Sequence, residues 1–203
     1  VNYLKRVSFD TQDSKLPKTY RSAEPNGLTS QPDAIQKRYL ITGYFKDQEL
    51  TEPWDFDNDH ISGDDPVIYI DYALVKVSDS TGTKLDDYKT LNAAVDAYQN
   101  RTDALLFELY GDITITEAEG LVNFYDNQNI TITTANSDEG PEGSKTASIY
   151  RDYENAFGQN LLNIETATTL TLDNVNMDGN YHSDSNDTNA WDCYSLICLN
   201  NSN

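Results

Sequence analysis

Apolar residues in this chain fall mostly in short runs and in alternation, the period-two pattern that turns one face of a strand toward a core. Val7-Ser8-Phe9-Asp10 alternates and predicts a first strand. Residues 13–32 have weak periodicity and many turn formers, which predicts a loop with room for one short strand. Residues 39–45 and 67–72 are rich in β-branched and aromatic side chains and predict two more strands. A polar joint follows at Ser78-Asp79-Ser80-Thr81-Gly82-Thr83. Residues 85–98 then place Leu91, Ala94, Val95 and Tyr98 at i, i+3, i+4, i+7 spacing and predict one short amphipathic helix. From Ala104 the pattern returns to short strands, at residues 105–109, 113–115, 121–124, 130–132, 161–164, 170–172 and 196–199.

Those later strands repeat. Leu121-Val122-Asn123-Phe124 followed by Ile130-Thr131-Ile132 superposes on Leu161-Leu162-Asn163-Ile164 followed by Leu170-Thr171-Leu172 at a shift of 40 residues, and Leu196-Ile197-Cys198-Leu199 continues the series at a shift of 35. Comparable spacing with variable inserts is what a solenoid produces when each coil stacks its apolar side chains on the previous one. A sandwich would account for the strands and not for the repeat. The chain therefore reads as two domains, residues 1–76 and 77–203.

Two resemblances sharpen this reading. In the first domain, Arg38-Tyr39-Leu40-Ile41-Thr42-Gly43-Tyr44-Phe45-Lys46-Asp47, Leu50 and Pro53-Trp54-Asp55-Phe56 resemble the signature of the Listeria-Bacteroides repeat, or internalin B-repeat. Val7-Ser8-Phe9-Asp10 fits its opening strand, and the segment from Ile61 through Ile70 its closing one. The resemblance implies a small β-grasp-like module of bacterial surface proteins, serving as spacer or interaction unit. Arg38 and Tyr44 depart from it, standing where that family has Gly and Trp. In the second domain, the capping helix, Gly111-Asp112-Ile113-Thr114-Ile115, Asn129-Ile130-Thr131-Ile132 and the run from Leu170 to Asn180 resemble the first coils of right-handed parallel β-helix proteins of the pectate-lyase-like superfamily. The expected fold class is thus mainly β, a β-grasp-like module followed by a truncated right-handed parallel β-helix with an N-terminal capping helix. A coil stack that stopped at Asn203 would leave an open strand edge, so the natural protein is expected to continue.

Charge narrows the partners. The net charge is −20, and after Lys76 the chain has five basic against 21 acidic residues. Such a field repels phosphate backbones and anionic lipid, which argues against nucleic acid and membrane surfaces and leaves glycans, proteins and cations. No apolar run is long enough to span a membrane. Cys193 and Cys198 are too few for a disulfide framework or a four-cysteine zinc site and read as small apolar strand residues.

Candidate chemistry is sparse. Asp55, Asp57 and Asp59 alternate like the opening of a calcium loop, but His60 stands where such a loop needs glycine, and a solvated turn explains the acids equally. Calcium is the one cofactor these residues suggest. Trp54 and Phe56 share one face of an extended segment and read as core, not as sugar-stacking rings. β-Helix glycosidases and lyases need paired carboxylates or a base on one outer face; Asp173 with Asp178 is the best pair, then Asp152 and Glu154, with Lys145 or Arg151 as the base of a lyase. His182, amid Ser183, Asp184, Ser185, Asn186 and Asp187 and with Asp192 nearby, reads as a solvated loop before it reads as a metal site. The segment around Glu139-Gly140-Pro141-Glu142-Gly143 reads as a protruding contact loop. The sequence alone therefore favours a secreted or cell-wall-anchored adhesion or interaction protein whose partner is a glycan or a surface protein. The alternative is a carbohydrate-active β-helix enzyme with its site in or beyond the last coils.

Overall fold

A computed structural model describes residues 3–14, 16, 18–32, 39–116, 118–135, 146–152, 160–179 and 196–199. The protein is mainly β, with one helix among the described residues. It divides into two compact units, one of Val1–Gln36 with Leu40–Tyr72, the other of Lys37–Tyr39 with Ala73–Asn203.

The first unit holds a four-stranded mixed sheet, β1 (Lys5–Asp10), β2 (Thr19–Ala23), β3 (Leu40–Phe45) and β4 (Val67–Ala73), in the order β2-β1-β4-β3. β1 runs antiparallel to β2 and parallel to β4. The alternation read in Val7 and Phe9 is real, since both are essentially fully buried, with Phe9 in register with the equally buried Ile68 of β4. Phe56 stacks on Phe9 and meets Tyr44 edge-on at 4.8 Å, with Trp54 edge-on to Phe56, so both aromatics of the Pro53-Trp54-Asp55-Phe56 run pack inward.

The second unit opens with β5 (Val75–Asp79) and β6 (Lys84–Tyr88), an antiparallel hairpin. The polar joint expected at residues 78–83 is the turn of that hairpin. The Asp79 carboxylate accepts from the backbone N–H groups of Thr81 and Thr83, so a short polar run closes a strand pair without ending a domain. The helix is correspondingly shorter than expected. Residues 84–88 are strand, Thr90 caps the helix by accepting from the Ala93 N–H, and α1 spans Leu91–Ala97 with Leu91, Ala94 and Val95 buried.

Among the described residues nine strands follow: β7 (Ala104–Leu109), β8 (Ile113–Ile115), β9 (Val122–Phe124), β10 (Asn129–Thr134), β11 (Ala147–Arg151), β12 (Leu162–Ile164), β13 (Thr169–Asp173), β14 (Val175–Asp178) and β15 (Ile197–Leu199). They visit three sheets in rotation. β7, β10 and β13 pair in parallel, as do β8, β11 and β14, and β9, β12 and β15. The register is the one the repeats imply: Val122, Asn123 and Phe124 stand opposite Leu162, Asn163 and Ile164, and these opposite Ile197, Cys198 and Leu199. Inward residues of all three sheets, among them Phe107, Ile113, Phe124, Ile130, Ile149 and Leu162, form one core.

An edge strand offers unpaired backbone groups to any passing chain, and β7 and β9 are each covered on one side. β5 pairs antiparallel with β7, so the five-stranded sheet β13-β10-β7-β5-β6 is mixed. α1 packs on β9, where the Asn92 amide donates to the carbonyls of Glu119 and Leu121. The α1 C-terminus is closed by Gln128, buried at 1% exposure, whose amide donates to the carbonyls of Val95 and Tyr98 while its oxygen accepts from the Tyr125 N–H.

Candidate functional site

Strand alternation decides which side chains leave the core. In the β14-β11-β8 sheet, Ile113, Ile115, Ala147, Ile149, Val175 and Met177 point inward, so Thr114, Ser148, Tyr150, Asn176 and Asp178 point out. The register puts Thr114, Tyr150 and Asp178 in one row across three strands, with Ser148 and Asn176 side by side in the row before it. Asp112 joins that earlier row, its carboxylate accepting from the Ser148 N–H at 2.8 Å. Asp152 extends β11 by donating its N–H to the Ile115 carbonyl, which places it on the outer face two residues beyond Tyr150.

Asp152 and Asp178 therefore lie diagonally across adjacent strands with Tyr150 beside both. Strand spacing and rise set their Cα atoms about 8 Å apart. Both are exposed, whereas Tyr150 is half-buried. The surface is a tyrosine ring flanked by carboxylates and short hydroxyl and amide side chains, groups that can stack on an apolar sugar face or aliphatic side chain and accept hydrogen bonds from hydroxyl or ammonium groups.

Asp173 lies elsewhere. It ends β13 on the other side of the corner at Asn174, whose φ of +51° turns the chain from one sheet to the next. Its row on the five-stranded sheet runs through Thr133 and Glu108 to Lys76, whose ammonium pairs with Glu108 at 2.8 Å; the bond to Glu108 holds the Lys76 pKa above its ordinary value. The structure thus separates Asp173 from Asp178 and joins Asp178 to Asp152. Glu154, Lys145, the segment from His182 to Asp187, Asp192, Cys193 and residues 139–143 lie outside the described residues. Cys198 is half-buried in β15.

No match to this chain was found among family models, curated proteins or solved structures.

The turn at Asp55, Asp57 and Asp59 is knitted together by its own groups. Asp55 accepts from the Asn58 amide and the Asp57 N–H, and Asp59 accepts from the Asp55 N–H and the Lys46 ammonium. The Asn58 and Asp57 donors hold Asp55 below the usual carboxylate range, and Lys46 followed by the Asp55 N–H does the same for Asp59. Among the described residues no three acidic, histidine or cysteine side chains converge as a metal site would require. Among them, too, no helix is long and apolar enough to cross a membrane.

Sequence reasoning missed the Tyr150 row because β11 was not predicted. Its alternation, Ala147-Ser148-Ile149-Tyr150, was the available signal, short and isolated between polar segments.

Proposed function

We propose that the second unit is a right-handed parallel β-helix in a secreted or cell-wall-anchored protein, that the first is a β-grasp-like spacer of the Listeria-Bacteroides repeat kind, and that the outer face around Tyr150 binds a glycan or a surface protein without cleaving it. Three parallel ladders visited in strict rotation support the coil reading, and the near-universal right hand of parallel crossovers supports its handedness. A β1–β4 parallel pair flanked by antiparallel β2 supports the β-grasp reading.

The observation that carries the binding role is the row Thr114, Tyr150 and Asp178 with Asp152 on its flank. Parallel stacking fixes these side chains at strand spacing on a rigid support, which is how a flat face acquires selectivity at low entropic cost. The test is a glycan array and a surface-protein pull-down with the protein and with Tyr150→Ala and Asp178→Asn. The reading expects retained fold and at least about tenfold weaker capture, the equivalent of one lost stacking or charged contact.

The Asp152–Asp178 diagonal favours one alternative, a glycosidase, since that chemistry needs two carboxyl groups on one outer face. Release of reducing sugar from any captured glycan, abolished by Asp152→Asn, would replace the binding role with the enzymatic one.

A further inference from the structure

A cleft lies within the first unit, on the outer face of its sheet. It is open to solvent and spans about 560 Å³, within the ~300–1,000 Å³ of ordinary small-ligand sites. Tyr69, an outward residue of β4 in register with Asp10 of β1, forms one wall with Asp10; Gln12, Asp13, Ser14, Leu16, Lys18 and Gln48 line the others. Three features set its chemistry.

The walls are fixed before any ligand arrives. Gln12 has a φ of +63°, a left-handed conformation that a β-carbon disfavours, and its amide is pinned to the Gln48 carbonyl at 2.8 Å while its N–H donates to Asp10. Asp13 is anchored from the core side by the buried Tyr72 hydroxyl at 2.7 Å. Lys18, the cation of the described lining, is taken up by Asp10 at 2.6 Å, so anions are not attracted. Finally, amide, hydroxyl, ammonium and carboxylate groups around one aromatic ring offer donors and acceptors together, the mixture that sugar hydroxyls, which both donate and accept, can satisfy.

The geometry points to this cleft as a binding site for a neutral oligosaccharide, stacked on Tyr69 and hydrogen-bonded by Gln12 and Gln48, so that the first unit is a ligand-binding module as well as a spacer. This holds or fails independently of the Tyr150 face, because the residues concerned are different.

The experiment is amide-resolved NMR of the full chain titrated to about 10 mM with cellohexaose, xylohexaose, mannohexaose, laminarihexaose and chitohexaose, and with hexalysine as the cationic control. The expected result is saturable shifts at Gln12, Asp13 and Gln48 with at least one hexasaccharide and none there with hexalysine. Gln12→Gly relieves the left-handed strain while deleting the amide, and it is expected to stay folded and weaken binding at least about tenfold, the effect of one or two lost hydrogen bonds. Tyr69→Ala is expected to do the same. Absence of shifts at these amides with all five sugars, preference for hexalysine, or undiminished binding by folded Gln12→Gly would each overturn the assignment.

Discussion

Asn163 donates its side-chain amide to the side-chain oxygen of Asn123, 2.9 Å away and one coil earlier in the stack. The two occupy matching positions of β12 and β9, and the same Asn163 nitrogen also donates to Glu165 at 2.9 Å. Identical side chains at strand spacing satisfy each other, and here the rung ends at Cys198, the next residue in register. Asn163 is almost wholly buried, so its replacement is costly. Asn163→Ala should destabilise the second unit by about 1–3 kcal/mol, the penalty for leaving buried polar groups unpaired. Urea unfolding followed by circular dichroism measures it, and a loss below ~0.5 kcal/mol would show that the rung is not structural.

A second buried amide does a different job. Gln128 closes the C-terminus of α1 through two carbonyls and holds the Tyr125 N–H through its oxygen. No apolar residue of similar size can replace three such bonds. Gln128→Leu should cost about 2–4 kcal/mol, and amide exchange of α1 should accelerate ahead of that of β10. Equal acceleration throughout would mean that the helix is held by its apolar face alone.

What could be read in advance followed from repetition and local alternation. The 40-residue shift between Asn123 and Asn163 predicts the ladder register, because a repeat that pairs strand on parallel strand sets equivalent residues opposite each other. The hairpin of β5 and β6 was hidden because a turn built by Asp79 has the same composition as a linker, and because Tyr88 sits in phase with the helical positions that follow. The Asp152–Asp178 relationship was hidden for a deeper reason. Asp173 and Asp178 are neighbours in sequence, and only the left-handed corner at Asn174 sends them to different sheets.

The turn of Asp55 and Asp59 should give the first unit an acid-labile element. Hydrogen bonds from the Asn58 amide to Asp55 and from the Lys46 ammonium to Asp59 lower both pKa values in the folded state. A lowered folded pKa means stabilisation that is present above the ordinary Asp value of about 3.9 and is lost as pH falls through the folded values. Lys46, raised by its bond to Asp59, keeps its side of the pair until pH climbs above the ordinary lysine range. Carboxyl-carbon NMR titration should therefore find Asp55 and Asp59 ionising below their own midpoints in the unfolded chain, and Lys46→Met should move Asp59 upward while leaving Asp55 nearly unchanged. An Asp59 midpoint insensitive to Lys46→Met would show that the pair is not formed in solution.

The coil repeat also marks a residue that the fold tolerates poorly. The turn between β9 and β10 passes through Asn127 at φ +63°, and one coil later the turn between β12 and β13 passes through Ala167 at +61°. Both turns need the left-handed region, which asparagine enters at little cost and alanine does not. Neighbouring contacts hold the second turn in place nonetheless, since Thr169 donates its N–H to the Gln128 carbonyl at 2.8 Å and the Thr168 hydroxyl bonds the Tyr125 carbonyl. Ala167→Asn copies the earlier coil into the later one and should stabilise the second unit by about 0.5–1 kcal/mol, whereas Asn127→Ala should cost a similar amount. Glycine at 167 should gain less than asparagine, because the greater freedom it gives the unfolded chain offsets part of the relieved strain. Opposite signs for the two exchanges, measured as shifts in urea midpoint at constant slope, would establish that the coils obey one backbone rule; equal signs would show that the two turns are held by different constraints.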